Sequence, residues 1–114
     1  AGGGRVVIPP GLWRSDGPIG LRSGVELHVA AGAVVRFTPD PALYPLVFTR
    51  WEGTEVWNHS PLLYTRGQRG VAITGGGAFE GQGRAHFLPW RERQKPAQTQ
   101  LRLMGAEGTP VRDR

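Results

Sequence analysis

The sequence predicts an all-β chain built as a solenoid of short stacked strands, and three observations predict it. Glycine and proline make up 18 and 10 of the 114 residues, and they punctuate short apolar runs, the pattern of a turn-rich β protein. The spacers between those runs are too short for the crossover helices of a βαβ fold. The third observation is a repeat. Gly24-Val25-Glu26-Leu27 returns as Gly70-Val71-Ala72-Ile73, and Gly32-Ala33-Val34 returns as Gly77-Ala78-Phe79. With the intervening segment 38–61 set aside, about twenty residues remain per repeat, a solenoid period.

The elements follow in order. Val6-Val7-Ile8 reads as a first strand, closed by Pro9-Pro10-Gly11. Ile19-Gly20-Leu21 follows the turn Asp16-Gly17-Pro18. Val25-Glu26-Leu27-His28-Val29 alternates apolar and polar residues with period two, which is a half-buried strand with His28 outward. Val34-Val35-Arg36-Phe37 comes next, after Ala31-Gly32. The second group is Leu62-Leu63-Tyr64, Val71-Ala72-Ile73 and Ala78-Phe79-Glu80. Val25, Leu27, Val34, Leu63, Val71, Ile73 and Phe79 are expected inward, and outward polar residues meet water. Gly75-Gly76-Gly77 and Gly81-Gln82-Gly83 suit sharp corners. A phosphate loop is disfavoured at the first of these, since neither Lys-Ser nor Lys-Thr follows.

Segment 38–61 interrupts the repeat as a projecting loop, and it is too aromatic for disorder, holding Tyr44, Phe48, Trp51 and Trp57. Residues 1–83 are therefore read as the first coils and residues 84–114 as an irregular basic segment leading to later coils. Within that segment Ala97–Met104 is a candidate short helix ending at Gly105.

The chemistry of the chain is narrow. No cysteine is present, which excludes disulfides and thiolate metal sites. His28, His59 and His86 are scattered without metal-ligand spacing, so no metal and no cofactor is expected. No apolar run is long enough to span a bilayer, and Ala1-Gly2-Gly3-Gly4-Arg5 has no signal-peptide pattern. The net charge of +5 is concentrated in the tail: residues 1–83 carry +1 and residues 84–114 carry +4. Dispersed tail arginines read as a solvated surface, and neither a nucleic acid nor a membrane is expected as partner.

Several segments resemble glycoside hydrolase family 28, the polygalacturonase-like, pectin-active enzymes. Gly3-Gly4-Arg5-Val6-Val7-Ile8-Pro9-Pro10-Gly11 resembles their first coil. Asn58-His59-Ser60-Pro61-Leu62-Leu63-Tyr64 and Val71-Ala72-Ile73-Thr74-Gly75-Gly76-Gly77 resemble the next. Phe79-Glu80-Gly81-Gln82-Gly83 is similar to the family's Ile-Asp-Gly-x-Gly turn, with Glu for Asp, and Phe48-Thr49-Arg50-Trp51-Glu52-Gly53 is similar to a loop segment of bacterial members. The resemblance implies a right-handed parallel β-helix, a galacturonan or related pectin as partner, and hydrolysis of its glycosidic bonds by the full-length enzyme. It also implies that this chain is an N-terminal portion of that enzyme. Family members are secreted, periplasmic or in some cases cytoplasmic, so the resemblance does not fix a location.

The family's catalytic motifs, Asn-Thr-Asp, Asp-Asp, Gly-His-Gly and Arg-Ile-Lys, do not occur here, so no catalytic residue is assigned. Inverting glycosidases place two carboxyl groups about 6.5–9.5 Å apart, and only Glu52 and Glu55 lie near one another in the sequence. Arg50, Trp51 and Glu52 are the candidate substrate-binding residues: Arg for a sugar carboxylate, Trp for the ring face, Glu for a hydroxyl. The alternative for the same residues is anchorage of the loop, and Trp57 is read as packing. The alternative for the whole chain is a non-catalytic carbohydrate-binding or structural β-helix module.

Overall fold

A computed structural model describes residues 2–114; Ala1, the first residue of the expected coil segment, lies outside the described residues. Strands dominate as far as Glu80, and all the α-helix lies after Gly83. The strands are β1 (Gly4–Ile8), β2 (Gly11–Ser15), β3 (Ile19–Gly20), β4 (Val25–Val29), β5 (Ala33–Phe37), β6 (Leu46–Trp51), β7 (Thr54–His59), β8 (Leu63–Tyr64), β9 (Ala72–Thr74) and β10 (Ala78–Glu80).

The repeat in the sequence is a repeat in topology. β1, β4 and β9 form one parallel sheet, β2, β5 and β10 a second, and β3 with β8 a third. The chain visits these three sheets in the same order twice. Register places Val6 beside Leu27 and Leu27 beside Ile73, so each turn stacks like residues on like. The first turn passes from the second sheet to the third through Asp16-Gly17-Pro18. The second makes the same passage through residues 38–62, and there a separate antiparallel pair, β6 with β7, is inserted.

The core lies between the sheets. Leu21, Leu27, Val29, Ala33, Val35 and Phe37 are buried, with Ile8, Ile19, Leu62, Leu63, Val71 and Phe79 packed against them. The Phe37 and Phe79 rings meet at 6.2 Å. Gly75 is a corner that requires glycine. Its φ is +99°, and a Cβ there would lie 2.0 Å from the Val29 carbonyl oxygen. Only a glycine lets this corner stack on the turn beneath.

Two of the expected inward residues differ. In β5 the buried positions are Ala33, Val35 and Phe37, and Val34 takes the other face. Strand side chains alternate strictly, and Val34 shares its face with Arg36, which points outward to pair with Glu80. Ile73 points toward the core yet stays 49% exposed, because β9 is an edge strand with a neighbour on one side. His28 is half-buried, and its Nδ1 lies 2.8 Å from the Thr74 hydroxyl. That hydroxyl donates to Glu26, whose carboxylate also pairs with Arg5 at 2.6 Å, so polar side chains link all three strands of the first sheet.

The tail also differs from the expected irregular segment. A π-helical turn over Gly83–Phe87 leads into α1 (Trp90–Arg93) and α2 (Lys95–Ala106), and a 3₁₀ turn follows at Val111–Asp113. Pro96 falls in the first turn of α2, where its missing N–H costs nothing. Gly105 does not end the helix. Gly108 does, with φ +74°, a bond from the Thr109 N–H to the Met104 carbonyl and one from the Gly108 N–H to Gly105, which together form a Schellman motif.

Candidate functional site

The inserted segment starts with a 3₁₀ turn, Pro41–Leu43, capped by Asp40, whose carboxylate accepts from the Ala42 N–H. The strands β6 and β7 then pair from Leu46 with His59 to Trp51 with Thr54. Glu52 and Gly53 are the two residues between them, at φ 46° and 89°. Both values are positive, the requirement of a type I′ hairpin turn. The sequence signal is weak: Glu-Gly supplies one glycine for the turn, but neither Phe48-Thr49-Arg50-Trp51 nor Thr54-Glu55-Val56-Trp57 alternates apolar with polar residues.

Pairing sorts the hairpin into two faces. Leu46, Phe48, Arg50, Glu55, Trp57 and His59 share one, and Val47, Thr49, Trp51, Thr54, Val56 and Asn58 share the other. The second face receives α2. Val56 is buried, and Gly105 of the helix meets Thr54. The first face is open, except that Trp57 and His59 on the edge strand β7 also border a cleft toward the helices. Trp57 stands edge-on to Phe48, with ring centroids 6.0 Å apart, and remains 47% exposed. The Arg66 guanidinium lies 5.4 Å from the Phe48 ring centroid, and one of its N–H groups reaches the Phe48 carbonyl at 3.3 Å.

Arg50, Trp51 and Glu52 are therefore not one cluster. Arg50 stands on the open face opposite Glu55, at 3.7 Å. Trp51 takes the helix-facing side, where its indole N–H is buried without a partner among the described residues. Glu52 lies in the turn and pairs with Arg102 of α2. Adjacent strand residues point to opposite faces, and this separates Arg50 from Trp51. Glu55 stands beside Arg50, away from Glu52, which is occupied by the helix.

A cleft of about 660 Å³ runs between β7 and the helices, lined by Trp51, Trp57, Trp90, Gln98, Leu101 and Met104 among others. A smaller hollow of about 240 Å³ adjoins it beneath Tyr44, Ser60 and Leu62, and shares His59, Phe87 and Trp90 with it. Phe87 and Trp90 meet edge-to-face at 5.3 Å. Ser60 is 7% exposed, and its hydroxyl has no partner among the described residues. Sequence reasoning missed these tail aromatics, which sit outside any repeat.

The joint between hairpin and sheets is polar. The Tyr44 hydroxyl donates to the Thr38 carbonyl at 2.7 Å, and the Thr38 hydroxyl donates to Asp16 at 2.5 Å. That bond, and a second from Arg14, hold the Asp16 carboxyl below its usual 3.8, against a smaller upward push from desolvation. Burial, with the Asp16 charge, raises Tyr44 above 10.0. No group of three or more metal-ligating side chains occurs among the described residues, and no described helix is long and apolar enough to cross a membrane.

No family model and no curated protein matches the chain. Solved structures do. The chain is similar to a hyperthermoactive exopolygalacturonase of Thermotoga maritima, with 40% identity, a TM-score of 0.88 and 96% of this chain covered. It is also similar to a glycosyl hydrolase of Parabacteroides merdae, with 25% identity, a TM-score of 0.60 and 85% of this chain covered. The chain spans 27% of the first structure's length and 39% of the second's.

Proposed function

We propose, for a chain that belongs to the polygalacturonase-like glycoside hydrolases of family 28, that it is the N-terminal portion of a pectin-degrading enzyme acting on galacturonan-type glycosidic bonds. The observation that carries this is the 40% identity to an exopolygalacturonase across 96% of the chain. The twice-repeated order of the three parallel sheets supports a parallel β-helix, and the right-handed form and the later coils are proposed from the family resemblance. An inverting reaction needs one carboxyl group as acid and another as base, with a water between. Those groups belong to motifs this sequence does not contain. The part proposed for this chain is to found the coil stack and to wall the substrate cleft with the β6–β7 hairpin.

Of the three residues assigned to substrate from the sequence, Arg50 is the one proposed to contact the sugar. Trp51 and Glu52 are proposed to hold the hairpin on α2. The experiment is reducing-sugar release from polygalacturonate by the full-length protein and by residues 1–114 alone. The full-length protein is expected to hydrolyse the polymer and the shorter chain to be inert. Hydrolysis by the 114 residues would move the chemistry to carboxylates of this chain. Binding of pectin without hydrolysis by the full-length protein would favour a non-catalytic carbohydrate-binding module.

A further inference from the structure

We propose that the open face of the β6–β7 hairpin is a binding subsite for an acidic polysaccharide, with Trp57 as the ring platform and Arg50 and Arg66 as the partners of its carboxylates. The proposal rests on the galacturonan reading above and deepens it.

Two strand tryptophans are left about half exposed; Trp13 donates its indole N–H to the Pro9 carbonyl, and Trp57 stands among the cations. A tryptophan left 47% exposed on an ordered strand keeps a large apolar surface in water. Phe48 supports its ring edge-on, which fixes the indole without covering it. A pyranose ring has an apolar face of C–H groups, and an immobilised exposed indole is a surface on which it can stack.

The cations stand beside that platform. Arg50 lies two residues beyond Phe48 on the same strand face, about 7 Å along it. Its approach to Glu55 is 3.7 Å, beyond hydrogen-bond range, so its N–H fork is held in place but not consumed. Arg66 lies over Phe48 and gives one bond to a backbone carbonyl, which leaves further N–H groups to donate. Two arginines against Glu55 leave this face positive. Guanidinium forks match carboxylates two bonds at a time. The ligand that fits is a polymer with a carboxylate on each ring, recognised by stacking and by charge together. Leu46, 60% exposed, extends the apolar strip toward the other end of the strand.

The test uses the full-length protein, with tetragalacturonate and its fully methyl-esterified form as probes and a thermal melt as the control for folding. Arg50→Gln and Arg66→Gln should each weaken tetragalacturonate binding about tenfold and leave the ester unaffected. Trp57→Ala should weaken both probes, and Trp57→Phe should recover part of the loss even if the alanine variant folds poorly. Folded variants that bind both probes like the parent would overturn the subsite while leaving the galacturonan reading intact. Failure of the parent to bind or hydrolyse either probe would overturn both. Tighter binding of a single-stranded oligonucleotide than of tetragalacturonate would reassign the face to nucleic acid and overturn the proposal.

Discussion

Gly105 of α2 lies so close to Thr54 of β7 that a Cβ built on the glycine would sit 2.8 Å from the threonine Cγ2. A glycine inside a helix ordinarily costs about 1 kcal/mol relative to alanine. Here it permits the contact that seats the helix on the hairpin. Gly105→Ala is expected to destabilise the protein despite its better helix propensity, by about 1–2 kcal/mol of overpacking. The same change in a Thr54→Ser background, which removes the opposing methyl, should stabilise. Chemical denaturation of the four proteins of the cycle checks the sign.

Glu52 holds a left-handed conformation, φ 46°, that asparagine adopts more readily. It also pairs with Arg102, but that pair is exposed and worth at most about 1 kcal/mol. Glu52→Asn in an Arg102→Ala background should therefore gain about 0.5 kcal/mol or more, since the ion pair is already absent. An unchanged or lower denaturation midpoint would mean that the turn gains nothing from asparagine.

The parity of β5 gives a direct comparison. Val35 is buried and Val34 is not. Val35→Thr puts a hydroxyl in the core without a partner and should cost about 1–3 kcal/mol. Val34→Thr should change stability by less than about 0.5 kcal/mol. The reverse order, measured by urea unfolding, would restore the parity expected from the sequence alone.

That reversal marks what the sequence could and could not convey. The parallel strands were legible because the glycine-flanked runs recur: Leu27 and Ile73 carry the repeat and are register partners. The parity of β5 was legible too, in the charged Arg36 between Val35 and Phe37, and the expectation of an inward Val34 passed over it. The candidate site was half legible. Arg50 was picked out by its charge beside an aromatic. Its separation from Trp51 follows from strand alternation, and its place opposite Glu55 is set by the Glu52-Gly53 turn. The seat of α2 on the hairpin was hidden because Gly105 serves packing, while a glycine near a helix end reads as a stop.

The joint between the second sheet and the hairpin should weaken at both ends of the pH scale. Asp16 is depressed below 3.8, chiefly by the Thr38 hydroxyl, so its contribution is complete above that value and is lost as pH falls through the lower folded value. Tyr44 is raised above 10.0 by burial, so its contribution is complete below that value and is lost as pH rises through the raised one. Thr38→Val should return Asp16 toward 3.8, and Tyr44→Phe should remove the alkaline dependence at a loss of about 1 kcal/mol. Carboxyl-carbon NMR titration and the pH dependence of urea unfolding report the two effects.

The edges of the parallel sheets make the last prediction. β1 and β9 bound the first sheet, and β2 and β10 bound the second. Each of these strands has an unpaired backbone side, and apolar residues stand beside it: Val6, Val7, Leu12 and Trp13 at one end and Ile73 at the other are exposed, Leu12 to 64%. Unpaired edges with apolar flanks recruit further strands, and in a stacked repeat nothing else satisfies them. Residues 1–114 expressed alone should therefore self-associate, with sedimentation velocity showing species larger than the monomer that grow with concentration. Leu12→Lys together with Ile73→Lys should suppress this, because a charge at an edge opposes pairing with a like edge. Leu12 is 64% exposed and Ile73 49%, so a lysine at either position can carry its ammonium out to water along its own stem. A monomer at every concentration with a single sharp melt would show that the two edges are protected without later coils.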